Sequence, residues 1–295
     1  MSVQNSFTPD PENIRMALPK GRMYEQIVSL LSGAGIRITE SSRGYRPRIS
    51  LSGCSAKILK PRNVISMLTA GARDVGFAGC DWIRETGADL VQLLDTGLNP
   101  VRLVVATPEQ FLVNGNLPDR HLVIATEYPN IAAEWIANRN LDASVLPTFG
   151  ATEVFPPEDA DCILDNTATG STLRANGLVI IDEVMTSSTQ MYASGEALEN
   201  DQIKAKLDDL VMLLESVLLA RQRVMMDLNA PRAELDAICE MLPSMREPTV
   251  SPLSDNDWVA VRAAIPRDRL VELIPRLKSA GACDIVTSPA AQIIP

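Results

Sequence analysis

The stretch DNTATGSTLRANGL, residues 165–178, stands between two apolar runs, DCIL at 161–164 and LVIIDEVM at 178–185. Both runs have the length and composition of buried strands, so the stretch is a loop joining two strands, with an acid, three threonines, a serine and a glycine at its head. Working outward, the same strand-and-helix alternation covers most of the chain. Upstream come IRMAL, a helix over about 21–32, basic strands to Leu59, a helix near 64–69, DVGFAG and RLVVATP. A second run of the pattern starts with VIATEYP, a helix at 131–138 and SVLPTFGATEVF. Such alternation predicts α/β lobes with ligands at the carboxyl ends of the strands. Downstream, MYAS leads to a helix over about 196–221, in which Ile203, Leu207, Leu210, Leu214 and Val217 keep helical spacing. Beyond it VMMDLN, PRAELDAICEML, TVSPL, WVAVRAAI, PRDRLVELIPRLKSAG and CDIVTS read βαββαβ, the ferredoxin-like order, with Pro231 opening the first helix and Gly281 ending the second.

A chain of 295 residues with 46% apolar content can bury a sizeable core. Its apolar runs are broken well before the roughly 18 residues of a membrane span, and MSVQNSFTPDPEN lacks the marks of a secretory signal. The expectation is a cytoplasmic protein with a short disordered N-terminal tail and no membrane partner. The five cysteines are scattered without a CxxC pair, four of them among apolar residues, which suits reduced thiols packed as small hydrophobes. The single histidine, His121, reads as a structural or surface residue. A net charge of -10 argues against nucleic-acid binding. Within it lies a basic island, Arg43, Arg46, Arg48, Lys57, Lys60, Arg62 and Arg73, with no acid between 41 and 73. Either it is a solvated face or it walls a pocket for a polyanion.

Three motifs carry candidate chemistry. In TATGST, Gly170 permits close backbone approach, Thr169, Ser171 and Thr172 supply hydroxyls, and a short helix over TLRANG would aim amide groups at the loop. That arrangement suits a phosphate, with Asp165 placed to accept from sugar hydroxyls. The alternative is a polar turn with a Ser or Thr N-cap and an Asn-Gly C-cap. In LPKGRM, residues 18–23, Lys20 and Arg22 fall at a helix start, where cations meet the wrong end of the dipole unless they face an anion or simply extend into water. DVGFAGCD, residues 74–81, is a third strand end, with Gly76, Gly79 and Asp81. Neither a Walker loop nor GxGxxG occurs.

Together, LPKGRM, DVGFAGCD, VIATEYP and ATEVF followed by DNTATGSTL resemble, in order and spacing, the ATP phosphoribosyltransferases of histidine biosynthesis in their long form. REPTVSPLSDNDWVAVRAAIP, residues 246–266, is similar to that family's extra C-terminal domain. The resemblance implies two lobes like those of periplasmic binding proteins plus a ferredoxin-like regulatory domain. It divides the chain into lobe I (1–106 and 186–222), lobe II (107–185) and the regulatory domain (223–295). It implies transfer of phosphoribosyl from phosphoribosyl pyrophosphate to N1 of the adenine of ATP, with magnesium as cofactor. By the same resemblance Asp165 and Glu153 contact the ribose hydroxyls and Ala168, Thr169, Gly170, Ser171 and Thr172 hold the 5-phosphate. Lys20, Gly21, Arg22, Lys60, Gly79 and Asp81 serve the nucleotide, with Lys20, Asp165 and Glu153 the catalytic set. Asn229 and Thr249 belong to a histidine pocket, and dimers and hexamers are implied. Lys60 and Asn63 stand where the family carries arginine and aspartate, and Asn229 where some relatives carry aspartate. Two readings stay open beside this one: a non-catalytic two-lobed binding module, and a phosphoribosyltransferase acting on another base.

Overall fold

The computed structural model describes residues 13–40 and 44–295. The N-terminal tail expected to be disordered and Arg43 of the basic island lie outside the described residues. In chain order the first elements are β1 (Ile14–Pro19), α1 (Arg22–Gly33), β2 (Ile38–Thr39), β3 (Arg48–Ile49), β4 (Cys54–Leu59), α2 (Pro61–Thr69), β5 (Val75–Gly79), α3 (Cys80–Thr86) and β6 (Val91–Pro108). Next come β7 (Leu122–Thr126), α4 (Pro129–Arg139), β8 (Ala143–Pro147), β9 (Cys162–Thr167), α5 (Ser171–Ala175) and β10 (Leu178–Ala193). The chain ends with α6 (Gly195–Glu199), α7 (Asp201–Gln222), β11 (Arg223–Pro231), α8 (Leu235–Met241), β12 (Thr249–Pro252), β13 (Trp258–Pro266), α9 (Leu270–Ser279) and β14 (Cys283–Pro289). Two compact units result, one of the described residues up to Val28 with Arg37–Leu207, the other of Ser29–Ile36 with Asp208–Pro295.

The first unit is organised by one eight-stranded sheet in the order β4-β1-β5-β10-β6-β9-β7-β8. The trio β4, β1, β5 is parallel, and so is the trio β9, β7, β8. Between them β10 is antiparallel to β5 and to β6, and β6 is antiparallel to β9, so the trios run in opposite directions. The end of β5 lies beside the middle of β10 (Gly79 with Thr189), and the end of β9 beside the middle of β6 (Thr167 with Arg102). Midway, β6 and β10 pair Val101 with Ser187. The carboxyl ends of both trios therefore converge on one place, over the middle of the two long strands, where α/β folds put ligands.

Sequence and structure differ in extent more than in kind. VQLLDTGLNP, residues 91–100, is the first half of β6, although Gly97 and Asn99 sit at positive φ and read locally as a turn. DCIL continues through Thr167, so Asp165 lies inside β9 and the loop shrinks to residues 168–170. The single helix expected over 196–221 is broken at Asn200. Ser194 caps α6 by accepting from Ala197 N at 3.2 Å, and Asn200 Oδ1 caps α7 by accepting from Gln202 N and Ile203 N at 3.0 and 3.2 Å. The stripe Ile203, Leu207, Leu210, Leu214 and Val217 is buried as its spacing requires. Gly76 lets α2 close on the sheet, since a Cβ there would lie 2.7 Å from Val64 Cγ1 and 3.1 Å from the Ala17 carbonyl oxygen.

The second unit carries a four-stranded antiparallel sheet in the order β12-β13-β11-β14, built from βαββαβ. Along β11 and β13 every second residue is buried, and Val224, Met226, Leu228, Val259, Val261 and Ile265 pack with Ile238, Leu273 and Leu277 of the two helices. The alternate residues, Met225, Asp227 and Asn229 of β11 among them, point to the opposite face. Pro231 ends β11, and the helix after it begins only past a 3-10 turn at Arg232–Glu234, whereas Gly281 leaves α9 at φ +93 as expected. Of the five free thiols only Cys162 is fully buried, the other four being half-buried, so thiol packing is less complete than the composition suggests. His121 is a surface residue bonded to Asp142 and Ser144. No helix among the described residues is long and apolar enough to cross a membrane.

Candidate active site

Lys20, Lys60 and Gly79 sit at the carboxyl ends of β1, β4 and β5. Lys20 N donates to the Leu59 carbonyl at 2.7 Å, which brings the two lysines side by side. Gly21 makes the turn from strand to helix at φ +86, and Arg22 begins α1. Both lysines, Gly21 and Arg22 are exposed. Lys20 Nζ lies 3.3 Å from the Tyr45 hydroxyl and 5.2 Å from its ring centre. Arg62, in the first turn of α2, stands 5.8 Å from the Trp82 ring. The basic island does not form one wall. The helix α2 carries the chain back about 13 Å to the amino ends of the strands, where burial, with the charges of Arg15 and Arg46, lowers the pKa of Arg73.

The opposing trio contributes carboxylates and hydroxyls. Register places Thr126 beside Leu164, so Glu127, just past β7, lies next to Asp165, near the end of β9, while Glu153 comes from a turn at Thr152–Val154 after β8. Burial pushes the Asp165 carboxyl up to about 7; the Asn166 N–H bound to it opposes this, Glu127 and Glu153 add to it, and the Thr152 hydroxyl opposes it more weakly. Burial also raises Glu127, against the pull of Lys60 and Arg62, so this carboxylate of one trio feels the cations of the other. Gly170 turns the chain into α5 at φ +72, and its N–H donates to Thr167 Oγ1 at 2.9 Å. The short helix over 171–175 forms as expected, capped by Gly170 without a side-chain bond and closed by Asn176 and Gly177. Ala168, Thr169, Ser171 and Thr172 are exposed, and Arg174 reaches back so that a Cβ on Gly170 would lie 3.1 Å from its Nη1.

Between the trios lies a cavity of about 730 Å³ lined by Arg22, Gly79, Asp81, Trp82, Tyr128, Asn166 and Ala168, with Asn99–Val101 and Ser187–Ser188 of the long strands. Of the residues expected from sequence, it brings together Arg22, Gly79, Asp81 and Ala168; Lys20, Lys60, Glu153, Asp165 and Thr169–Thr172 are outside its lining. Asp81 is buried, and Gly79 makes room for it, since a Cβ there would lie 2.1 Å from Asp81 Oδ1. Ser187 Oγ donates to Asp81 Oδ1 at 2.9 Å and the Tyr128 hydroxyl to Asp81 Oδ2 at 2.8 Å. Glu127, Tyr128, Asn166, Trp82 and Arg174 were not singled out by sequence reasoning. The first two were in plain view in VIATEYP, as the two residues that follow a strand, but their burial and reach depend on which strands become neighbours.

In the second unit Asn229 and Thr249 share the face of the sheet opposite the one packed by α8 and α9. Asn229 Nδ2 donates to Asp284 Oδ2 at 2.9 Å, while Thr249, exposed, lies across from Arg262, which pairs with Asp227 at 2.6 Å. They sit on different strands with β13 between them.

Comparison with known proteins identifies the family. The family model described as HisG, ATP phosphoribosyltransferase, matches residues 60–216, and that of the HisG C-terminal domain matches 220–291. An ATP phosphoribosyltransferase of Chlorobaculum parvum is 37% identical over 276 residues, 91% of this chain and 93% of that protein. One from Pelotomaculum thermopropionicum is 35% identical over 287 residues, covering 96% and 99%. Among solved structures, a chain of the ATP phosphoribosyl transferase (HisG:HisZ) complex from Thermotoga maritima is similar at a TM-score of 0.61 and 26% identity, over 70% of this chain and 98% of that one. With both family models matched in order and the relatives aligned nearly end to end, the chain belongs to the ATP phosphoribosyltransferase family of histidine biosynthesis.

Proposed function

We propose that the cavity is where the ribose C1 of phosphoribosyl pyrophosphate meets N1 of the adenine of ATP. The observation that carries this reading is the opposition of two chemistries at converging strand ends: Lys20, Arg22, Lys60 and Arg62 on one side, Asp165, Glu153 and the 168–172 loop on the other. In this reading Asp165 and Glu153 accept from the ribose hydroxyls, and Ala168, Thr169, Gly170, Ser171 and Thr172 hold the 5-phosphate. Lys20, Gly21, Arg22, Lys60, Gly79 and Asp81 serve the nucleotide. As N1 bonds to C1, the C1–oxygen bond breaks and its electron pair leaves with pyrophosphate, whose charge the cations offset. No side-chain nucleophile is required; rate comes from holding the reacting atoms in line.

Among the described residues no cluster of three or more His, Cys, Asp or Glu is disposed to hold a metal. Magnesium would be carried by the polyphosphates, would neutralise phosphate charge, and could draw on Asp165 or Glu153 as a carboxylate beside it. The two catalytic lobes are 1–106 with 186–222 and 107–185, and the protein works in the cytoplasm as a dimer or hexamer. Histidine is the inhibitor, bound on the 223–295 domain at Asn229 and Thr249; the Asp284 carboxylate beside Asn229 supplies a partner for a cationic ligand.

The test mixes the protein with ATP, phosphoribosyl pyrophosphate, magnesium and pyrophosphatase and follows the ultraviolet change on adenine alkylation. A signal that needs both substrates is expected. Product from orotate or hypoxanthine in place of ATP, or ligand binding without product, would overturn the reading.

A further inference from the structure

The side chain of Tyr128 is wholly buried and its ring centre lies 4.7 Å from that of Trp82, yet it keeps a hydroxyl with two partners. That hydroxyl donates to Asp81 Oδ2 at 2.8 Å and accepts from Asn166 Nδ2 at 2.9 Å. Asp81 opens α3 behind β5, and Asn166 lies in β9 next to Asp165; in the sheet two strands, β10 and β6, separate β5 from β9. The bridge thus crosses from one trio to the other over the cavity that Asp81, Tyr128 and Asn166 line. Tyr128 is itself held in place: its N–H donates to Thr126 Oγ1 at 2.8 Å, and that hydroxyl donates to the Leu164 carbonyl at 2.6 Å. Asp81, 5% exposed, has the hydroxyls of Tyr128 and Ser187 as its side-chain partners, and among the described residues no lysine or arginine pairs with it. A buried carboxylate satisfied in this way costs stability that an apolar contact would not. For packing alone, phenylalanine would serve.

We propose that Tyr128 is a positioning residue, its hydroxyl fixing the separation between the nucleotide side of the cavity and the ribose side so that N1 and C1 meet in line. This rests on the assignment of the two sides given above. Because the hydroxyl is taken up by two protein side chains, Asp81 and Asn166, it acts on the encounter of two bound substrates more than on the binding of either one. A misplacement of about 1 Å can cost on the order of 100-fold in rate.

The experiment compares Tyr128→Phe, Asn166→Leu and the double variant in the full chain. Turnover is measured with both substrates, calorimetric Kd with ATP alone and with phosphoribosyl pyrophosphate alone, and melting temperature in parallel. Each single variant is expected to lose roughly 10- to 100-fold in kcat while either Kd stays within about twofold. The double variant should be no slower than the worse single one. Unchanged kcat with only a lower melting temperature, or losses that multiply in the double variant, would overturn the proposal. If Tyr128→Phe does not fold, Asn166→Leu, which leaves the Tyr128–Asp81 bond intact, decides by the same split of kcat from Kd. A wild-type protein that forms no product would instead overturn the functional reading beneath it.

Discussion

Asp165 is held with Glu127 and Glu153 nearby in a setting whose desolvation pushes its pKa up to about 7 from 3.8. As pH rises from about 4 to about 7, the folded chain holds a proton that the unfolded chain has already lost, so folding weakens through that window and levels off above it. Asp165→Asn removes that titration. The variant should match wild type near pH 4 and exceed it by about 2–4 kcal/mol at pH 8, read by denaturant unfolding at both pH values. Turnover should move the other way, falling roughly 100-fold or more with loss of the ribose contact. A folded Asp165→Ala with near-normal turnover would remove Asp165 from the site. The acid at 165 was legible because it precedes a hydroxyl-rich loop. Glu127 was not, because its role depends on β7 lying beside β9, which no local spacing reveals.

At the scale of elements, patterns with one dominant local cause read correctly. The stripe of α7 was plain at helical spacing, and so were the βαββαβ order and the fully apolar β5. Breaks read less well. Asn200 is one polar residue in a helical run, and only the bonds of its side chain to Gln202 N and Ile203 N show that it separates two helices. Asn200→Ala should cost about 1 kcal/mol of unfolding free energy without changing kcat, measured by chemical denaturation and assay. The long strand β6 was half hidden because Gly97, Asn99 and Pro100 look like a turn, whereas they are where β6 and β10 shift register over the cavity floor. Gly76 is a tighter constraint. A methyl there meets Val64 at 2.7 Å and the Ala17 carbonyl oxygen at 3.1 Å, and the backbone cannot yield as a side chain can. Gly76→Ala should destabilise by about 1–3 kcal/mol in the same unfolding experiment.

At the scale of the whole molecule, the expected division of labour is that one unit carries the chemistry and the ferredoxin-like sheet carries regulation. Deleting residues 225–295 should abolish inhibition by histidine in the coupled assay, and a truncated protein that histidine still inhibits would place the effector elsewhere. In the full chain, Asp284→Ala should weaken inhibition roughly 10-fold while leaving uninhibited turnover unchanged, through loss of a charged partner. The sequence by itself determined the α/β class, the ferredoxin-like C-terminal unit, the presence of a hydroxyl-rich turn after the DCIL strand and the family, because each rests on periodicity, turn chemistry or motif order within short reach along the chain. Only the tertiary structure decided that two strand trios run in opposite directions and so point their ends at one cavity, that the basic island divides between opposite ends of the strands, and that Asp81, Tyr128 and Asn166 join across two intervening strands. The physical reason is that these features arise from pairing between residues far apart in the chain, 38 positions for Tyr128 with Asn166 and 118 for Val75 with Ala193, chosen by the burial of whole strands and invisible to any local pattern.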